Sequence, residues 1–275
     1  MNKKITISSI VGAVFKLALI VIFIFPFYWM VITGFKTYNE TIQFPPSLWP
    51  EKFQWVNLKT VWESGPYLTY LKNSVLVSFG TLILQAVVMV PAAYAFAKYN
   101  FKGRGFFFGL VMVAFMVPSQ VTFISIFHMM SNAKLLRTLW PQTIPHGANC
   151  FGIFLLRQAF MQVPDELLES ARLDNASETQ VLTKIMLPMG KPTLVSIMML
   201  SFISIWNDYF WPFIMSTTSA VYPLTIGIAA LRDVEGDFAW HIIMAGNVIL
   251  VIPIVIVYAL FHKRIVRAFA YSGIK

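Results

Sequence analysis

The sequence predicts an all-α membrane protein with six transmembrane helices, on three observations. The first is composition: 57% of the 275 residues are hydrophobic and only 12% charged, with a mean hydropathy of +0.68, a balance found in membrane proteins rather than soluble or disordered chains. The second is recurrence, because apolar windows of about 18 to 25 residues return along the chain, each long enough to cross the hydrocarbon layer as a helix. The third is charge placement, since the 21 Lys and Arg concentrate in alternate connecting segments, the pattern that orients helices in a bilayer.

The first span is expected at about Leu17–Phe35. Its flank MNKKITISSIVGAVFK is basic, but the apolar run is too long for a signal sequence and no small-residue cleavage site closes it, so it reads as an uncleaved anchor. Lys36 to Asn73 then forms a loop rich in Pro and Trp, with Trp49, Trp55 and Trp62 placed to lie at headgroup depth. The second span, Ser74–Lys98, carries Ala93 and Ala97 four residues apart, a small-residue pair that permits close helix approach. A short basic turn joins it to the third, Gly105–Met129. The fourth, Leu139–Arg157, contains Pro141, Pro145, His146 and Asn149. The fifth is Thr193–Met215 and the sixth His241–His262. Together they make a single transmembrane domain over 1–275, with one long connecting segment, 158–192.

With the amino terminus inside, fourteen basic residues face the cytoplasm and seven, among them Lys36, Lys72 and Arg232, face outward, which puts both ends in the cytoplasm. The net charge of +9 therefore reports topology and does not call for a nucleic-acid partner. The lone Cys150 excludes an internal disulfide framework and a multi-cysteine metal site. Gly190-Lys191-Pro192-Thr193 lacks the leading glycine and the Ser or Thr of a phosphate-binding loop. The four histidines lack metal-ligand spacing and no serine sits in a nucleophile elbow, so an enzyme finds no support.

The segment 158–192 holds ELLESARLDNASETQ, with an unusual share of the twelve Asp and Glu. Pro164 suits a first helical position, and Asp165 and Glu166 complement the positive end of a helix. That helix is expected to stop at Asp174-Asn175, because Asn tolerates the left-handed conformation. Ser177 with Gln180 forms a capping box for a second helix, expected to end by Leu187, before Pro188. Glu166, Glu169, Asp174 and Glu178 then rim a broken amphipathic pair. Charge pattern by itself also fits a solvated face; the sharper reading is a docking knob for a basic partner surface.

Inside the fifth span, Asp208 stands within Trp206-Asn207-Asp208-Tyr209-Phe210-Trp211-Pro212. A carboxylate at bilayer depth costs at least about 2.5 kcal/mol, so it should face the bundle interior or a watery cavity. Trp206, Asn207, Asp208, Tyr209 and Trp211 can hydrogen-bond and stack on sugar rings, or they can be a polar cluster with interfacial aromatics.

VPDELLESARLDNASETQVLTKIMLPMGKPTL resembles the EAA loop of ABC importer permeases, with Glu169, Ala171 and Asp174 matching and Asn175 standing where the family usually has Gly. FPPSLWPEKFQWVNLKTVW, YLKNSVLVS and SIWNDYFWPFIMSTTSAVYPLTIGIAAL look like further segments of carbohydrate-importer permeases, above all the smaller membrane subunit of maltose-type importers. The resemblance implies the type I ABC importer permease fold, with six spans and a cytoplasmic coupling helix in 158–192. It implies that Glu166, Glu169, Ala171, Asp174, Asn175 and Ala176 contact the ATPase. The partners it implies are a homologous second permease, a cytoplasmic ABC ATPase dimer that binds ATP and Mg, and an extracytoplasmic solute-binding protein bringing carbohydrate. This chain would hold no cofactor and would sit in a bacterial cell membrane. The tail Ala270–Lys275 is similar to a family tail that reaches toward the ATPase. Permeases for non-sugar solutes carry related loops, and a carrier using Asp208 as a proton site is the alternative from another class.

Overall fold

The computed structural model describes residues 7–232 and 239–272, with side chains for 11–232 and 239–260. Lys3, Lys4, Lys275 and the end of the tail lie outside these residues. Among the described residues every regular element is helical. In chain order the helices are α1 (Ile7–Gly34), α2 (Tyr38–Ile42), α3 (Val56–Glu63), α4 (Tyr67–Lys98), α5 (Arg104–Met116), α6 (Ser119–Asn132), α7 (Trp140–Thr143) and α8 (Cys150–Met161). They continue with α9 (Asp165–Leu173), α10 (Glu178–Val181), α11 (Leu187–Asn207), α12 (Phe210–Met215), α13 (Leu224–Ala229) and α14 (Trp240–Ser272).

Four of the described helical stretches are long and apolar enough to cross a membrane: Val11–Gly34, Tyr67–Lys98, Glu178–Asn207 and Trp240–Leu260. A fifth arises if α5 and α6, which meet at 97°, count as one broken span. The bend falls where the expected third span carries Pro118. That residue takes an extended ψ of 133° as the N-cap of α6, and its missing N–H and ring make it a poor continuation of α5. The expected fourth span is not one helix. It consists of α7, a 3₁₀ turn at Ile144–His146 and α8, because Pro141 and Pro145 start new turns and Asn149 caps α8 by accepting the N–H of Gly152. The expected fifth span breaks at Asp208, which leaves the helix with ψ 123°.

The helix expected to end at Leu187 instead runs on. Leu182–Met186 forms a π turn that leads straight into α11. Pro188 lacks an N–H and its ring crowds the carbonyl four residues back; the wider turn just before it relieves both demands, so the chain stays helical. Pro164 likewise sits one position earlier than expected, as N-cap rather than first helical residue.

The chain divides into two compact units. One comprises 1–67 and 227–253. In it the carboxamide of Asn57 donates to the carbonyls of Gly34 and Lys36, closing the loop after α1. Gly34 lies so near the α14 backbone that a Cβ would stand 3.0 Å from the Ala245 nitrogen. Much of α1 is apolar and exposed, Phe23 at 71%, as a lipid-facing helix should be.

The other unit comprises 68–226 and 254–275. Its core joins Met89, Ala93 and Tyr94 of α4, Ile153, Leu156 and Phe160 of α8, Leu168 of α9, Val181, Met186 and Ile197. Ala93 is fully buried and Ala97 packs against this cluster, the close approach their spacing permits. Gly190 belongs to the α11–α8 contact: a Cβ there would stand 2.5 Å from the Phe160 ring, itself fully buried. The Gly-Lys-Pro-Thr sequence is thus a turn of α11. Gly190→Val should destabilise the protein by about 1–3 kcal/mol through overpacking. Gly109→Val, where nothing lies within 4 Å of the added carbon, should leave thermal unfolding in detergent almost unchanged.

Candidate functional site

The α9–α10 pair is built by local rules and then locked by tertiary ones. Asp165 and Glu166 occupy the first turn of α9, next to the positive helix end. At the other end Asn175 adopts φ 58°. The N–H of Ala176 donates to the Ala171 carbonyl and that of Asn175 to Arg172, the paired bonds of a Schellman stop. Ser177 and Gln180 then exchange the two bonds of a capping box, opening α10. The break therefore leaves few backbone groups unsatisfied and is stiff.

One edge of this pair is buried. Leu168 is 2% exposed and Val181 fully buried, both within the core of the unit. Each such side chain contributes about 1.5–3 kcal/mol by leaving water. Ala171 and Ala176, expected among the contact residues, are half-buried against the same core. They set how closely the pair packs. The opposite edge is open: Glu166, Glu169, Asp174 and Asn175 are exposed, and Leu173 is 84% exposed. Positions 166, 169 and 173 share one helix face, so the outward surface is acidic with an apolar centre. Leu173 was not singled out in the sequence, although its place at the helix end, beyond the buried 168 position, is a usable signal.

Glu178, expected on the rim, turns instead to α4. Its carboxylate accepts from the Tyr94 hydroxyl at 2.8 Å, the Tyr99 hydroxyl at 2.5 Å and Nε of Arg172 at 2.9 Å. An exposed Arg–Glu pair alone contributes only about 0–1 kcal/mol; the two phenols convert it into a network that ties α9, α10 and the end of α4 together. The hydrogen bond that Arg172 donates to Glu178, with the charge of that carboxylate, holds the guanidinium above its ordinary range, and burial together with Glu178 raises the Tyr99 phenol. Lys98 adds a second tie, its Nζ donating to the Val163 carbonyl and the Asp165 carboxylate, both at 2.6 Å.

The second group of expected site residues is only partly brought together. Asp208 and Trp211 line a cavity of about 40 Å³ with Val77, Gln142, His146 and Ser204. The Asp208 carboxylate accepts the N–H of Trp211, whose indole N–H donates to the Pro141 carbonyl. The His146 and Trp211 rings meet edge to face, 4.9 Å apart. The remaining three lie elsewhere. Trp206 is 3% exposed and packs against Phe202, Asn207 donates to the Ile203 carbonyl of its own helix, and exposed Tyr209 stacks on Phe213. Gln142 and His146, missed in the sequence, line the same cavity as Asp208, carried there by α7 and the 3₁₀ turn that follows it.

The model of the family described as "Binding-protein-dependent transport system inner membrane component" matches residues 88–271. The arabinooligosaccharides transport system permease protein AraQ of Halalkalibacterium halodurans is 30% identical over 259 residues, 92% of this chain and 91% of that protein. The sn-glycerol-3-phosphate transport system permease protein UgpE of Yersinia pestis bv. Antiqua is 29% identical over 260 residues, 92% of each chain. A chain from the crystal structure of a bacterial ABC transporter involved in import of the acidic polysaccharide alginate has a TM-score of 0.84 at 24% identity, covering 96% of this chain and 98% of its own. A chain from the alginate transporter in complex with an alginate pentasaccharide-bound periplasmic protein has a TM-score of 0.62 at 17% identity, covering 96% and 94%. These two structures speak for the shared fold.

Glu178→Ala should leave Arg172 and both phenols without their common acceptor. Amide exchange over Asp165–Leu173 is expected to quicken about tenfold, the order expected for losing the charged bond that ties Arg172 of this helix to Glu178, while the core helices keep their protection. Asn175→Gly should hold or slightly raise stability and Asn175→Val lower it by about 1–2 kcal/mol, since only the first suits φ 58°; thermal unfolding reads the difference.

Proposed function

Because the chain belongs to the family of binding-protein-dependent transport system inner membrane components, we propose that it is a membrane-spanning permease subunit of an ATP-driven importer for sugars or oligosaccharides. It forms half of the translocation pathway and has no ATPase site of its own. A homologous second permease completes the pathway, a cytoplasmic ABC ATPase dimer binds ATP and Mg, and an extracytoplasmic binding protein delivers the cargo. The chain sits in a bacterial cell membrane with both termini in the cytoplasm.

The observation that carries this reading is the α9–α10 pair. Its outward face presents Glu166, Glu169, Leu173 and Asp174, an acidic rim around an apolar anchor that suits a basic cleft on the ATPase. Its inward face is fixed by Leu168, Val181 and Glu178. α10 runs through the π turn into α11 without a break. A displacement imposed on the outward face is therefore passed along α11 to Asp208 and the cavity beside it as a rigid-body motion, not absorbed in a loop. Closure of the ATPase dimer supplies the force, and the helix supplies the lever. Carbohydrate cargo is supported by the naming of AraQ. UgpE, named for sn-glycerol 3-phosphate, favours a second reading in which the cargo is a polyol phosphate.

Glu169→Lys and Leu173→Asp should each leave membrane insertion intact and abolish co-purification with the ATPase; a normal yield of ATPase with either variant refutes the docking role. Uptake into proteoliposomes holding the assembled importer should need ATP and the binding protein, and should favour an oligosaccharide such as arabinotriose over sn-glycerol 3-phosphate. Uptake driven by a proton gradient through the chain alone would replace the importer with a carrier.

A further inference from the structure

A second cavity lies in the unit that holds α1, at the end of that helix which the basic residues assign to the outside. It has a volume of about 220 Å³ and its walls include Trp29, Thr33, Lys36, Glu40, Trp240 and Met244. Lys36 is 1% exposed and Glu40 7%, burial that charged side chains rarely accept. They form no ion pair within 4 Å. Nζ of Lys36 donates to the Ser47 carbonyl and lies 4.5 Å from the centroid of the Trp29 ring. The Glu40 carboxylate accepts from the N–H and hydroxyl of Thr37 and from the N–H of Glu51. Both charges are thus held in place by the loop around them, facing one cavity.

Thr33 supplies an independent sign of a ligand. It is 5% exposed, it lines the cavity, and its hydroxyl has no hydrogen-bond partner. A buried hydroxyl left so costs about 1–3 kcal/mol, which a bound group able to donate or accept would recover.

The lining selects the ligand chemistry. Lys36 and Glu40 cancel in charge, so a bound anion or cation would be attracted by one and repelled by the other. A hydroxyl both donates and accepts and suits an ammonium, a carboxylate and a threonine hydroxyl together. Indole and thioether walls offer apolar area for the C–H face of a ring. The volume is below the range of about 300–1,000 Å³ usual for drug-sized ligands, which limits the occupant to a single small ring. We propose that this cavity is a subsite for one neutral sugar residue at the outer end of the pathway, with Thr33, Lys36 and Glu40 bonding its hydroxyls and tryptophan packing its ring. The proposal deepens the sugar-importer reading and rests on it.

The test is equilibrium binding of radiolabelled arabinose, glucose and galactose, and of sn-glycerol 3-phosphate, to the full chain in lipid nanodiscs. At least one neutral sugar should bind saturably in the millimolar range, and Thr33→Val should weaken it about tenfold. This variant keeps the side-chain shape and removes an unpaired hydroxyl, so the fold is kept; Lys36→Met, checked for thermal unfolding alongside it, should weaken the same sugar. Three results overturn the proposal: no saturable binding of any neutral sugar, equal affinity in wild type and Thr33→Val, or tighter binding of sn-glycerol 3-phosphate than of every sugar. Sugar uptake by the assembled importer tests the parent reading separately. Uptake with an unaltered Thr33→Val affinity sinks the subsite alone, whereas an importer that moves no sugar sinks the reading beneath it.

Discussion

Glu178 meets Tyr94, Tyr99 and Arg172 at the point where three helices come together, and the orientation of α9 depends on that meeting. The carboxylate lies at the start of α10, while two of its donors belong to or just follow α4 and the third belongs to α9. Hydrophobic burial of Leu168 and Val181 supplies most of the free energy that holds the pair down, but burial has no direction. The hydrogen bonds fix orientation. With both in place, the exposed edge of α9 is a defined surface, held beside the continuous helix that begins at Glu178.

Proline has opposite consequences at different places in this bundle, and neighbouring backbone decides which. Pro26, Pro91, Pro192 and Pro253 all lie inside helices, and Pro188 is taken in by a π turn. Pro118 stands at a 97° turn. Pro141 and Pro145 fall in short turns that fold the chain back toward Trp211. The last arrangement allows polar side chains within the bundle: the Gln85 carboxamide donates to the His146 carbonyl and that of Asn149 to the Ser201 hydroxyl. Buried polar groups in such a setting are costly unless bonded, and this interrupted region satisfies part of that demand, while Gln142 Oε1 and His146 Nε2 find no hydrogen-bond partner among the described residues.

The two cavities differ in the charges that line them. Around Asp208 a single carboxylate accepts a backbone N–H in a cavity also lined by the His146–Trp211 ring pair, and the space is too small for a sugar ring. Around Lys36 opposite charges are held apart by backbone acceptors and donors, which keeps both available to a neutral polar guest.

Much of this protein was legible in its residues. Helical class and membrane placement follow from composition and apolar run length, since a lipid-facing backbone has few ways to satisfy its own hydrogen bonds. The break at Asn175 and the cap at Ser177 follow too, because left-handed stops and capping boxes are governed by residues within four positions of one another. Tertiary structure alone decided the rest. Whether Glu178 faced outward or toward Tyr94, and which of Trp206 to Trp211 shared a cavity, depended on groups 70 to 84 residues away in the chain, brought near by packing. A proline or a carboxylate has one local preference but several tolerable environments, and only the folded chain selects among them.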